Sequence, residues 1–243
     1  IPLRLVGSEM CIRDRCNMDA HPNQNKFNLW VKKNKFSANE LFPTVKKNKF
    51  YKIDLSVGSK WIGGRKEIED LDFFQFKIEK LQKEYPKKII SGGYLEPRSI
   101  YSSSSYDKIG NFGNESRTIH LGLDFWLSPG TKVNSMFDGE VVTSINDDGD
   151  KEYGGLLILK HKVEDFEFYT LYGHNKVRSV LKNKIGTKIK KGDEIAEIAN
   201  YPENGNWAPH LHFQIMLSTL NYKIDFPGVC YYNQIEILSL IHI

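Results

Sequence analysis

The chain has 243 residues, 40% of them hydrophobic and 12% aromatic, with a formal net charge of +4 at pH 7. That is ample material for a core. The positive excess is too small and dispersed to argue for nucleic acid, though it suits an anionic surface such as a cell-wall polymer. No apolar run approaches the ~20 residues that span a bilayer, so no integral membrane segment is expected.

Residues 1–15 and 238–243 stand apart. Within the first, Leu5–Arg15 (LVGSEMCIRDR) resembles a translated transposase-type sequencing adapter, and Leu238–Ile243 (LSLIHI) resembles its reverse complement. Both ends are set aside from fold reasoning. Cys11 and His242 therefore drop out of the chemistry, and the true start and any leader stay open. Cys16 and Cys230 remain, without CxxC spacing, which argues against a disulfide framework or a cysteine metal site. Cys230 reads as a small buried apolar residue.

Residues 16–100 read as an N-terminal extension, small and α/β or irregular. Its first part is polar and basic, and Val31-Lys-Lys-Asn-Lys-Phe36 recurs as Val45-Lys-Lys-Asn-Lys-Phe50. Two copies do not make a solenoid, so this part is expected as short strands or a loosely ordered basic arm. From Glu67 to Tyr85 the apolar residues Ile68, Leu71, Phe74, Phe76, Ile78, Leu81 and Tyr85 mostly keep three-to-four spacing, which predicts one helix over about 67–85, closed by Pro86. Gly92-Gly93 and Ser102–Ser105 read as turn and loop.

Residues 101–237 read as the main domain. Short apolar runs recur between Gly, Asn and Asp: Gly139–Ile145, Leu156–Leu159, Phe166–Tyr172, Glu194–Ile198 and Leu211–Ile215. Asp147-Asp-Gly149 and Lys191-Gly-Asp193 supply turns. The expected class is mainly β, an antiparallel sandwich or barrel.

Five residues in that domain carry the chemistry: His120, Asp124, His174, His210 and His212. Side chains two or four apart on a strand share a face, so His210 and His212 align while Leu211 turns to the core. His120 and Asp124 align in the same way, with Gly122 between them removing bulk. Two imidazoles and a carboxylate suit a zinc ion with an open position for water, and the remaining two imidazoles suit proton transfer. His161, after an apolar run, reads as a capped or surface histidine.

These residues resemble the lysostaphin/LytM-type zinc metallopeptidases. The pattern runs from His120-x-Gly-x-Asp124 through Pro129-Gly-Thr131, Asp138-Gly-Glu-Val141 and Tyr153-Gly154. It continues through Leu171-Tyr-Gly-His174, Ile189-x-Lys-Gly-Asp193 and Pro209-His-Leu-His-Phe213. The resemblance implies a β-fold of the duplicated-hybrid-motif type. It implies one zinc ion held by His120, Asp124 and His212, with His174 and His210 activating water and stabilising the transition state. The implied reaction is endopeptidase hydrolysis in peptidoglycan peptides, at the periplasm or cell surface, with the cytoplasm the alternative.

Trp207-Ala-Pro replaces the small Ser/Thr-Gly stretch usual before His-x-His. With Asp54–Ser59, Gly92–Arg98 and Asp225–Cys230 it marks a branch resembling domains fused to kinase-like and aminotransferase modules. Arg98 and Tyr101 are candidates for reaching a substrate carboxylate or oxyanion, against a structural salt bridge. Trp207 is a candidate cleft wall. A competing class is a non-hydrolytic metal-binding module that binds or regulates a partner; degenerate forms lose ligands, and this chain keeps them all. A lipoyl-type carrier, suggested by the Gly-Asp turns, lacks its modified-lysine motif and leaves the histidines unexplained.

Overall fold

A computed structural model describes residues 21–47, 49–62, 65–101, 106–110, 113–222 and 226–235. The adapter-like ends, Cys16, the Ser102–Ser105 loop and Asp225 lie outside the described residues.

The basic N-terminal part contains a helix, contrary to the expectation of strands or a loose arm: α1, Gln24–Lys33. Phe27, Trp30 and Val31 stand three and four apart, so one face can pack, and Phe27 is buried. It meets Phe166 and Phe168 edge-on at 6.3 and 5.3 Å between ring centroids. The first copy of the repeated hexapeptide therefore ends a helix, whereas the second runs into a strand at Lys49. Tertiary burial, rather than local sequence, decides between them.

The helix predicted over 67–85 is two helices, α2 (Arg65–Glu69) and α3 (Leu71–Glu84). The break falls at Asp70, whose extended backbone lets its carboxylate accept from the Phe73 N–H and cap the second helix. Phe74, Ile78 and Leu81 form the buried side of α3, and Ile68 on α2 is buried with them.

The strands in chain order are β1 (Lys49–Lys52), β2 (Lys88–Ser91), β3 (Glu96–Pro97), β4 (Asp107–Gly110) and β5 (Gly113–Ser116). Next come β6 (Ile119–His120), β7 (Leu123–Trp126), β8 (Lys132–Asn134), β9 (Gly139–Asp147) and β10 (Gly154–Val163). The last are β11 (Phe166–Asn175), β12 (Lys188–Ile189), β13 (Glu194–Glu197), β14 (His210–Met216) and β15 (Val229–Cys230). A short helix, α4 (Val177–Val180), follows β11.

The protein is mainly β. Eight strands form one sheet in the order β1-β2-β7-β14-β11-β10-β9-β12. Among the described residues only β1 and β2 pair in parallel. The sheet is open at β1 and β12 among the described residues and does not close into a barrel. Leu156, Leu157, Ile158 and Leu159 on β10 are all fully buried, so that strand is covered on both faces. This accounts for an unbroken apolar run where alternation would mark a solvated face. Each such side chain contributes about 1.5–3 kcal/mol on burial. Two smaller sheets matter here: β13 with β8, and β15-β6-β3. Cys230 is buried, with a free thiol.

Candidate metal centre

β14 and β7 pair antiparallel with His212 opposite Asp124 and His210 opposite Trp126. Leu211 and Phe213 turn into the main core, so the imidazoles take the other face. His120 arrives from a different sheet, on β6, opposite Glu96 on β3 and Val229 on β15. The chain crosses between the two sheets at Leu121-Gly122. Gly122 is required there: a Cβ would lie 2.5 Å from His212 Nε2 and 2.9 Å from the Phe213 carbonyl oxygen.

His120 Nε2, Asp124 Oδ1 and His212 Nδ1 converge. The separations are 3.0 Å between the two nitrogens, and 3.2 and 3.3 Å from His120 and His212 to the carboxylate. Each group is fixed from behind. His120 Nδ1 donates to the Gly93 carbonyl at 3.1 Å, and His212 Nε2 donates to Gln214 Oε1 at 3.0 Å. The Gln214 amide is oriented by its own donation to the Pro227 carbonyl at 3.2 Å. These partners assign the protons to the outer nitrogens, so both inner nitrogens carry lone pairs. Asp124 Oδ1 is buried without a hydrogen-bond donor. Three electron-rich atoms facing one another with no proton between them call for a cation. Ligands at about 2.0–2.2 Å from a tetrahedral ion stand about 3.3–3.6 Å apart, close to the spacing observed. The group fits a metal ion.

Asp124 is braced through its other oxygen. Arg98 Nη1 donates to Asp124 Oδ2 at 2.6 Å, while Arg98 Nε donates to Glu96 Oε2 at 2.7 Å. Glu96 Oε1 in turn accepts from the Leu55 N–H at 2.9 Å. Arg98 is thus a structural salt bridge, fastened directly to a metal-ligand candidate. Burial alone would raise the Asp124 pKa, but His120 and Arg98 outweigh it and hold the carboxyl well below its ordinary range. Burial, aided by Arg98, pushes His120 down to about 4.

His174 and His210 complete the set, their rings 4.4 Å apart. His210 Nδ1 donates to the Ala208 carbonyl at 2.7 Å, leaving Nε2 as a lone-pair nitrogen 3.7 Å from Asp124 Oδ1. The His210 ring stacks on Trp126. His174, at the end of β11, has φ +66°, a left-handed backbone that is uncommon for histidine. Its N–H donates to the Tyr153 carbonyl at 2.8 Å, and its Nδ1 donates to the Asn204 carbonyl at 2.9 Å. Burial and the neighbouring imidazoles hold its pKa well below 6.5, so it stays neutral with Nε2 free. Left-handed backbone of this kind costs about 1–3 kcal/mol and collects at functional sites.

All five sequence-predicted residues therefore meet in one cleft, each no more than 6% exposed. Trp207 and Tyr101 also line it. His161 does not join them, and it is not at the surface as its position suggested. It is fully buried, 2.8 Å from the Asp138 carbonyl oxygen and 2.7 Å from the Thr170 hydroxyl. Sequence reasoning missed the supporting roles of Glu96, Gln214 and the Gly93 and Asn204 carbonyls. Gln214 had a signal, since it continues the alternation of His210 and His212.

Residues 118–224 match the model of Peptidase family M23. Among similar solved structures, the solution structure of lysostaphin is 23% identical, covering 58% of this chain and 47% of that one, with a TM-score of 0.35. The catalytic domain of the antimicrobial peptidase lysostaphin from Staphylococcus simulans is 24% identical, covering 56% and 87%, with a TM-score of 0.35. The catalytic domain of the prophage-encoded M23 protein EnpA from Enterococcus faecalis, solved as a mutant, is 22% identical, covering 52% and 86%, with a TM-score of 0.32. The chain spans about half the length of lysostaphin. Over residues 118–224 this chain is similar to peptidase family M23.

Proposed function

We propose that the protein is a zinc-dependent peptidase that hydrolyses peptide bonds in peptidoglycan peptides at the cell envelope. The observation that carries this is the convergence of three lone-pair ligands, with two further neutral imidazoles opening on the same cleft. Zinc, when bound by His120, Asp124 and His212, would supply a Lewis acid that brings the pKa of bound water down to about 7. His174 and His210, each protonated only on the nitrogen that faces a carbonyl, can accept a proton at Nε2 and pass it to the leaving amine. Arg98 keeps Asp124 ionised and fixed. Burial of all five groups excludes bulk water, which strengthens each of these interactions.

The test separates holding the metal from proton transfer. His212→Ala should lose zinc, measured as metal per chain after dialysis, because two ligands bind far more weakly than three. His174→Ala should retain zinc and lose turnover of a peptidoglycan peptide by roughly 10²-fold or more. Equal loss of metal in both variants would overturn the role assignment. Absence of hydrolysis by zinc-loaded protein across a broad peptide panel would overturn the function.

A further inference from the structure

The cleft holds three polar groups that the metal centre leaves unexplained. Arg98 Nη2, Tyr153 Oη and Trp207 Nε1 are buried and have no hydrogen-bond partner, and all three residues line the cleft. Arginine and tryptophan nitrogens are donors only. A tyrosine hydroxyl carries one proton to donate. A buried donor without an acceptor costs about 1–3 kcal/mol, and three in one cleft describe a missing acceptor-rich group.

The Tyr153 hydroxyl is placed there by the backbone around it. A Cβ on Gly173 would lie 2.4 Å from the Tyr153 ring, and one on Gly228 would lie 2.2 Å from its hydroxyl. Its ring sits 5.4 Å from that of His212 and 5.6 Å from that of His174, so the donor stands beside the metal centre. The Trp207 ring lies 6.0 Å from that of His174, with Lys151 Nζ over the indole at 4.4 Å. Arg98, Arg117 and Lys151 line the cleft against Asp124 and Glu152, and a divalent ion would add to the positive side. Arg98 is already paired with Glu96 and Asp124, so the missing group is defined by its acceptors, which a carboxylate supplies.

Ile68, Phe74, Tyr101 and Tyr106 wall the cleft from outside the family-matched segment 118–224. The metal-ligand candidates at its base are no more than 3% exposed. A recessed site of this kind suits a chain end better than the middle of an extended polymer. We propose that the cleft contains a carboxylate subsite, formed by the Tyr153 hydroxyl, Trp207 Nε1 and Arg98 Nη2. It would take the free C-terminal carboxylate of a short peptide, next to the scissile amide. This inference rests on the peptidase reading and narrows its substrate class.

The experiment compares N-acetylglycine with N-acetylglycinamide by calorimetry on the zinc-loaded full chain, then repeats the pair on Tyr153→Phe and Trp207→Phe. The free acid should bind the native protein about tenfold or more tightly than the amide. Each variant should narrow that preference severalfold while retaining its zinc, which direct coordination of the acid by the metal would not do. Equal binding of acid and amide, or a preference untouched in both variants, would overturn the subsite. A parallel assay on a short peptide and its C-terminal amide separates this inference from the reading beneath it. Acid-selective binding without any hydrolysis sinks the peptidase and leaves the subsite. Hydrolysis at equal rates for acid and amide does the reverse.

Discussion

At the scale of single residues, burial favours the neutral imidazole outside the candidate metal centre as well as inside it. His161 packs against Phe137 and Phe168 and is pushed down to about 4 by burial, partly offset by the Asp138 carbonyl. Unfolded, its pKa returns to about 6.5. Between those values the unfolded chain binds the extra proton, so this residue's contribution is complete above pH 6.5 and is lost as pH falls towards 4. The loss amounts to about 3 kcal/mol at most. His161→Leu removes that slope but also leaves the Asp138 carbonyl without its imidazole partner, so the variant should be less stable at pH 7 by about 1–3 kcal/mol. Urea melts at pH 7 and pH 4.5 should show the gap between native and variant narrowing on acidification. Parallel pH profiles would contradict the buried neutral assignment. Four of the cleft residues could be read from sequence because strand alternation and ligand chemistry constrain their spacing, and His174 through the family resemblance. The bracing of Asp124 by Arg98 could not, since nothing local says which carboxylate a distant guanidinium will meet.

At the scale of elements, the sequence was most readable where a segment's pattern and its burial agree. β14 alternates between site and core, and its pattern survives folding unchanged. The two hexapeptide copies are the counterexample, because identical residues end α1 in one place and enter β1 in the other. What separates them is Phe27 and Trp30 upstream of the first copy, which reach the aromatic cluster around Phe168. Phe27→Ala should therefore cost about 3–5 kcal/mol. On the opposite side of α1, Leu29 is 58% exposed, and Leu29→Ala should stay within about 0.5 kcal/mol. Chemical denaturation of the two variants side by side checks the helix face. A similar cost for both would mean that α1 does not dock as described. The break at Asp70 went unseen for a related reason: Ile68 and Leu71 keep helical spacing across it, and only the cap geometry reveals two helices.

At the scale of the molecule, the family-matched residues 118–224 do not complete their own sheet. β2 pairs with β7 through Ile90↔Trp126 and Ser91↔Phe125, and β1 extends that edge. Trp126, directly opposite His210, packs in a cluster with Ile78, Leu81 and Ile90 from the preceding segment. The Leu55–Glu96–Arg98 chain of hydrogen bonds ends on Asp124. Removing everything before Thr118 would bare the β7 edge, expose Trp126 and strip Asp124 of its guanidinium. An uncompensated buried charge of that kind costs about 3–5 kcal/mol, a large part of the about 5–15 kcal/mol that holds a domain folded. A fragment of residues 118–235 should therefore melt without cooperativity and retain little zinc, whereas residues 21–235 should behave as the full chain does. Circular dichroism melts and metal content on both fragments decide the matter. Cooperative melting of the shorter fragment at the full-chain temperature, with its zinc retained, would show the preceding segment to be a separable addition. The opposite outcome would mean that this chain has built its N-terminal segment into the candidate metal centre, with Arg98 holding Asp124 while Tyr101 and Phe74 shape what can reach it.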